Sequence, residues 1–210
     1  MDARDSSLMT LVRAIVADDA ATASRLLAAS GSLATARAGE GATRQAATDR
    51  YLAEIGHYLY GGDTALHIAA AAYRLPIVRR LLAVGADVGA RNRRGAEPLH
   101  YAADGSPGSP NWNPDAQAAT VTSLIDAGAD PNATDKSGVT PLHRAVRTRC
   151  AAAVNALLDG GADVGRQNKN GSTPMQLAIR TTGRGGSGSP ESKAQQEEIV
   201  RLLERHGATR

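Results

Sequence analysis

The sequence predicts an all-α solenoid of stacked helix–turn–helix units separated by short β-turn fingers, about five units in all. Composition is the first reason. Of 210 residues, 42% are apolar, but only 3% are aromatic and none is Phe. A thick, roughly spherical core of this size would use bulky rings, whereas thin slices can be filled by Ala, Leu, Val and Ile. Repetition is the second. "GGDTALHIAA" from Gly61, "RGAEPLHYAA" from Arg94, "SGVTPLHRAV" from Ser137 and "NGSTPMQLAI" from Asn170 are variants of one phrase. Each is followed by another: "LLAVGADVGA", "LIDAGADPNA", "LLDGGADVGR" and "LLERHGATR". The period is the third: Gly62 to Gly95 and Gly138 to Gly171 each span 33 residues, and Gly95 to Gly138 spans 43.

Each element follows from local chemistry. Residues 1–36 hold two helical patterns without the cap phrase and read as a degenerate N-terminal capping unit. The region 37–61 interrupts the pattern. Within it "TDRYLAEIGHYLY" predicts an additional helix over 48–60, capped by Thr48 or Asp49, with Tyr51, Leu52, Ile55, Tyr58 and Leu59 on one face. Such a helix either covers the side of the stack or projects towards a partner. Repeat units follow at 62–94, 95–137 and 138–170, and a C-terminal capping unit occupies 171–210. In the 138–170 unit Thr140 is the N-cap, and Pro141 takes the first helical position, where its missing N–H costs nothing. Leu142, Ala145 and Val146 form the apolar stripe, and Gly161 ends the second helix. No unit can bury its stripe alone; stacking supplies the core.

These phrases resemble the ankyrin repeat, whose signature is T-P-L-H-x-A-A followed by L-L-x-x-G-A-D-V-N at a 33-residue period. The resemblance covers residues 62–210, with departures at Ala65, Glu97 and Met175-Gln176. It implies a non-enzymatic protein-interaction module. It also implies that His67 and His143 bond to backbone and to the capping Thr, joining finger to helix. At His100 the capping Thr is absent, and its bonding stays open. Equivalent positions in stacked helices lie about 8–10 Å apart and point in parallel, so these histidines do not converge on a metal. His57 and His206 are expected to face solvent. No phosphate-cradling loop, zinc spacing or nucleophile elbow appears in the sequence, so no catalytic residue, metal or cofactor is assigned. The single cysteine, Cys150, has two readings: a thiol activated by Arg147 and Arg149, or a chance surface or half-buried thiol.

Two insertions fall between the helices of their units: "DGSPGSPNWNPD" (104–115) and a Gly/Ser-rich stretch over 182–194. The first carries the only tryptophan. Trp112 is either a pin that folds back over its own helices or an exposed anchor for a partner. Tyr73 and Arg74 at a helix–helix turn, Tyr101 on an inner helix and Trp112 belong to adjacent units and are expected to form one patch. Arg144 on the inner face and Arg91, Arg93 and Arg94 on a finger tip complete the candidate contact residues. Acidic residues interspersed along the chain, at a net charge of +3, argue against a nucleic-acid binder. A protein or peptide partner is the leading expectation. The alternative is an acidic partner or nucleic acid held by the Arg-rich finger 91–94. The sequence has no signal-peptide pattern and no membrane span. A cytoplasmic monomer is expected, from a bacterial source given the preference for Arg, Ala and Gly.

Overall fold

Helix pairs stacked in a line make up the protein. Its structure, a computed structural model, describes residues 3–39, 41–42, 50–105, 107, 112–180 and 190–209. The pairs are α1 (Ala3–Val16) with α2 (Ala20–Ala29), α3 (Ala65–Ala71) with α4 (Leu75–Ala83), and α5 (Pro98–Ala102) with α6 (Pro114–Asp126). They continue with α7 (Pro141–Thr148) and α8 (Ala151–Asp159), then α9 (Pro174–Ala178) and α10 (Pro190–Arg205). The odd-numbered helices pack against one another in one row and the even-numbered ones in a second. Between the rows runs a continuous core of Leu, Ile, Val and Ala, from Leu8 and Leu11 to Leu202 and Leu203. The all-α stacked architecture read from the periodicity is the observed one.

Fingers join the units, and the same atoms close each of them. Asn92, Asp135 and Asn168 each turn a side-chain oxygen back to accept two N–H groups of the turn, those of Arg94 and Ala96, Ser137 and Val139, and Asn170 and Ser172. Backbone bonds then tie finger to finger: Arg93 N–H donates to Gly61 O (2.9 Å), Lys136 N–H to Arg94 O (2.9 Å) and Lys169 N–H to Ser137 O (3.1 Å). This ladder explains the repeated glycine. Gly138 has φ of +71°, and a Cβ there would lie 2.9 Å from the Lys169 nitrogen, so a side chain would be strained and would also push the next finger away.

The motif histidines are the second suture. The Nε2 of His67, His100 and His143 lies 3.1, 3.0 and 3.0 Å from the carbonyl oxygens of Ala96, Val139 and Ser172, each in the following finger. A carbonyl only accepts, so Nε2 carries the proton. On the other side Nδ1 accepts from the backbone N–H of Thr64, Glu97 and Thr140. Every ring is thus held neutral between a donor and an acceptor. His100 keeps this arrangement without a threonine because the cap residue's backbone amide supplies the bond. Burial pushes the imidazole of His67 down to about 3 and that of His100 down to about 4. In the fifth unit Gln176 stands in for His, and its Oε1 accepts from Thr173 N–H (3.0 Å).

The additional helix expected over 48–60 is not what residues 50–60 form; they make a β-hairpin. Residues 37–39 and 41–42 pair with 59–64 as an extended finger, with Ala38 N–H donating to Asp63 O, Gly62 N–H to Ala38 O and Ala42 N–H to Leu59 O. Beyond it β1 (Tyr51–Leu52) pairs antiparallel with β2 (His57–Tyr58) through a short 3-10 turn over Ala53–Ile55. Gly56 decides the outcome. In a helix it would sit mid-element at a cost of about 1 kcal/mol relative to Ala, whereas here it adopts φ of +62° and closes the turn. Strand pairing sets Tyr51 opposite Tyr58, ring centroids 4.8 Å apart, and both are exposed, at 45% and 37%. Leu52 and Ile55 are half-buried and Leu59 is buried. The proposed caps Thr48 and Asp49 lie outside the described residues, as do 106, 108–111 and 181–189 of the two insertions.

Candidate functional site

The hairpin does not project. It lies across the row of odd-numbered helices, where the His57 ring rests on the ring of Tyr101 in α5, centroids 4.5 Å apart. His57 therefore does not face solvent; it is half-buried, and desolvation pushes its pKa down. Tyr101 beneath it is 1% exposed, which corrects the expectation of an accessible inner-face contact. Its hydroxyl donates to the carboxylate of Asp63 (2.8 Å), and Asn92 Nδ2 donates to the same carboxylate (2.8 Å) and to the tyrosine oxygen (2.9 Å). Tyr60 N–H adds a bond of 2.7 Å. Asp63 is wholly buried, and burial pushes its carboxyl up to about 6 despite these donors.

Arg144 is likewise part of the interior. It is 8% exposed, its Nη1 lies 2.8 Å from Asp104 Oδ2 and its Nη2 3.3 Å from Asp135 Oδ2, with its Cζ 6.0 Å from the Tyr101 ring centroid. A guanidinium committed to two carboxylates is a bolt between units three and four, not a free contact. Sequence position failed for two reasons: the hairpin covers Tyr101, and the carboxylates of Asp104 and Asp135 draw Arg144 inward.

Tyr73, Arg74 and Trp112 do come together. They line a cleft of about 770 Å³, closed on its other side by hairpin residues that include Tyr51, Glu54 and His57 and floored by Ala71 and Ala72. Tyr73 sits at φ of +54° in the α3–α4 turn and donates its hydroxyl to Asp104 O. Arg74 reaches back 3.2 Å to Asp18 of the first unit. Trp112 packs half-buried against the core, its Nε1 donating to Gln117 Oε1 (2.8 Å), while Gln117 Nε2 donates to Ala102 O and Asp104 O. The tryptophan pins its insertion through Gln117 and also presents part of its surface to the cleft. Tyr51 and His57 are the members that sequence reasoning missed as cleft residues; the signal was Gly56, which favours a hairpin over a helix.

The Arg-rich finger is largely occupied within the protein. Arg91 Nε lies 2.9 Å from Glu97 Oε1, the residue in place of the usual capping threonine, and Arg91 Nη2 donates to Thr134 O. Arg93 donates to Ala42 O. Arg94 lies over the Tyr60 ring, 4.9 Å from its centroid. Cys150 is fully buried beside Thr148, and burial pushes its thiol up to about 11, so neighbouring arginines do not activate it. Among the described residues no group of three or more His, Cys, Asp or Glu is disposed to hold a metal ion, and no helix is long and apolar enough to cross a membrane.

Family models describing ankyrin repeats match the chain in three overlapping stretches: one of three copies over residues 11–109, a single repeat over 94–136, and one of many copies over 124–178. The protein is an ankyrin-repeat protein. Among curated proteins none matches the chain. Ankyrin repeats are generally protein–protein interaction modules and typically non-enzymatic. In this ankyrin-repeat protein the first finger is lengthened into a strap over the second and third units, and the cleft beside that strap gathers three of the candidate contact residues.

Proposed function

We propose that this ankyrin-repeat protein binds a partner protein by taking one or two of its side chains into the cleft between the hairpin and the Trp112 insertion. One observation carries the reading: Tyr51, Tyr73, Arg74 and Trp112, from three separate segments of the chain, line a single open concavity. Trp, Tyr and Arg dominate binding hot spots because each combines a large apolar area with a polar end. Here Tyr73 and Trp112 are held by hydrogen bonds to Asp104 O and Gln117, so little ordering is left to be lost on association. Buried thiol, neutral sutured imidazoles and paired carboxylates offer recognition rather than chemistry.

Ala53 lies exposed on the hairpin lip of the cleft, so Ala53→Trp fills the concavity without disturbing the core. Affinity capture from the source organism should yield a partner with the intact protein and lose it with Ala53→Trp, at an unchanged thermal midpoint. Equal capture by both proteins would contradict the cleft as the binding site.

A further inference from the structure

We propose that Tyr51 and Tyr58 form an oxidative modification site, at which a haem peroxidase with hydrogen peroxide joins the two rings ortho to ortho as dityrosine. The site goes beyond partner binding and does not depend on it. Strand pairing carries the inference. Tyr51 and Tyr58 are register partners on β1 and β2, with ring centroids 4.8 Å apart and an interplanar angle of 48°. Directly opposed residues of an antiparallel pair hold their Cβ atoms about 4.5–5.5 Å apart. Side-chain rotation alone therefore brings an ortho carbon of one ring to an ortho carbon of the other. Both rings are exposed, so an oxidant reaches them and their phenolic protons leave to water.

The other three tyrosines are placed differently. Tyr60 has its ring 6.3 Å from that of Tyr58, but it is half-buried and the Arg94 guanidinium lies 4.9 Å from its centroid. A cation held over a ring opposes the loss of an electron from it. Tyr73 is half-buried and donates its hydroxyl to Asp104 O, and Tyr101 is buried with its hydroxyl on Asp63. Two competing sinks for the oxidant are shielded as well. Cys150 is fully buried, and Trp112 is half-buried with its N–H committed to Gln117. Tyr51 and Tyr58 are thus the pair of tyrosines that combines ring contact with exposure on both sides.

Each phenol gives one electron to the peroxidase and one proton to solvent, leaving a radical with spin on its ortho carbons. The radicals combine through one new C–C bond. The hydrogen on each joined carbon then moves to the phenolic oxygen as the rings regain aromaticity. The two electrons, with two protons, reduce one hydrogen peroxide to two water molecules. The product closes residues 51–58 into a covalent loop across the β1–β2 pair, so the two strands can no longer separate.

The test treats dilute full-length protein with a haem peroxidase and limiting hydrogen peroxide, then separates monomer from cross-linked oligomer. We expect the monomer to show dityrosine emission and a mass lower by two hydrogens. Glu54 lies between the two tyrosines, so a glutamate-specific protease acting on the denatured product should leave the Tyr51 and Tyr58 peptides joined. Tyr51→Phe and Tyr58→Phe should each abolish this monomer product, whereas Tyr60→Phe and Tyr73→Phe should leave it. Treatment in urea should lower its yield several-fold, because the fold and not the short sequence separation brings the rings together. Emission confined to oligomers, a joined peptide pair other than Tyr51 with Tyr58, persistence of the product in either of the first two variants, or an equal yield in urea would each overturn the proposal.

Discussion

Replacing Tyr101 by alanine should destabilise the protein by about 4 kcal/mol, measured as a lower midpoint of urea unfolding. The magnitude follows from what the side chain does. Its ring is among the largest fully buried side chains, packed between the imidazoles of His57 at 4.5 Å and His67 at 5.0 Å. Removing it opens a cavity between the second and third units and takes a donor from the buried Asp63 carboxylate. Tyr101→Phe separates the two effects. It keeps the packing and deletes only the hydroxyl, so a loss of about 1–3 kcal/mol is expected from an under-bonded buried acceptor. A loss below about 1 kcal/mol for the alanine variant would mean that the interface between these units does not rest on Tyr101.

Acidification should be the second large effect. His67 titrates near 3 and His100 near 4 in the folded protein, against 6.5 for a free imidazole, and burial also lowers His57 and His143. As pH falls below 6.5 the unfolded chain takes up protons that the folded chain refuses, so stability present above 6.5 is lost progressively towards pH 3–4. Asp63 acts in the opposite sense. Its folded value near 6 exceeds the free value of 3.8, so the folded protein is protonated first and gains stability as pH falls through that window. Glu97, also raised by burial, shares that sign. Four histidines against two carboxyls, with the wider displacements on the imidazole side, give a net loss. The thermal midpoint should fall by more than about 5 °C between pH 7 and pH 4 for a chain of this size. A flat or rising midpoint would contradict the neutral, doubly bonded histidines.

Most of the fold was legible because a repeat announces itself. Thr140, Pro141, His143 and Gly161 each state one local requirement, a cap, a first-turn residue, a suture and a stop, and stacking follows once those recur. His67 and His143 could be placed from the phrase alone, because the next finger always offers a carbonyl at the same point. His100 was harder, since the missing threonine hid the fact that a backbone amide makes the essential bond. The site was legible only in part. Tyr73, Arg74 and Trp112 were brought together by their positions in adjacent units, and they share one cleft. Tyr101 was misplaced because its exposure depends on a hairpin more than forty residues away in the chain, and Arg144 because it is bound by Asp104, 40 residues before it, as well as by Asp135. No local pattern around them records these contacts. The hairpin itself was obscured by Tyr51, Leu52, Ile55, Tyr58 and Leu59, which satisfy a helical period as well as a paired one; only Gly56 tips the balance.

The central claim is that the chain covers its own inner face with residues 50–58, leaving a cleft at the edge of that cover. Proton NMR tests it most directly. Nuclear Overhauser contacts between the ring protons of His57 and Tyr101, with an imidazole of His57 that titrates below 6.5, are the expected result. A His57 ring that titrates as a free imidazole and shows no contact with Tyr101 would place the hairpin away from the stack and contradict the account.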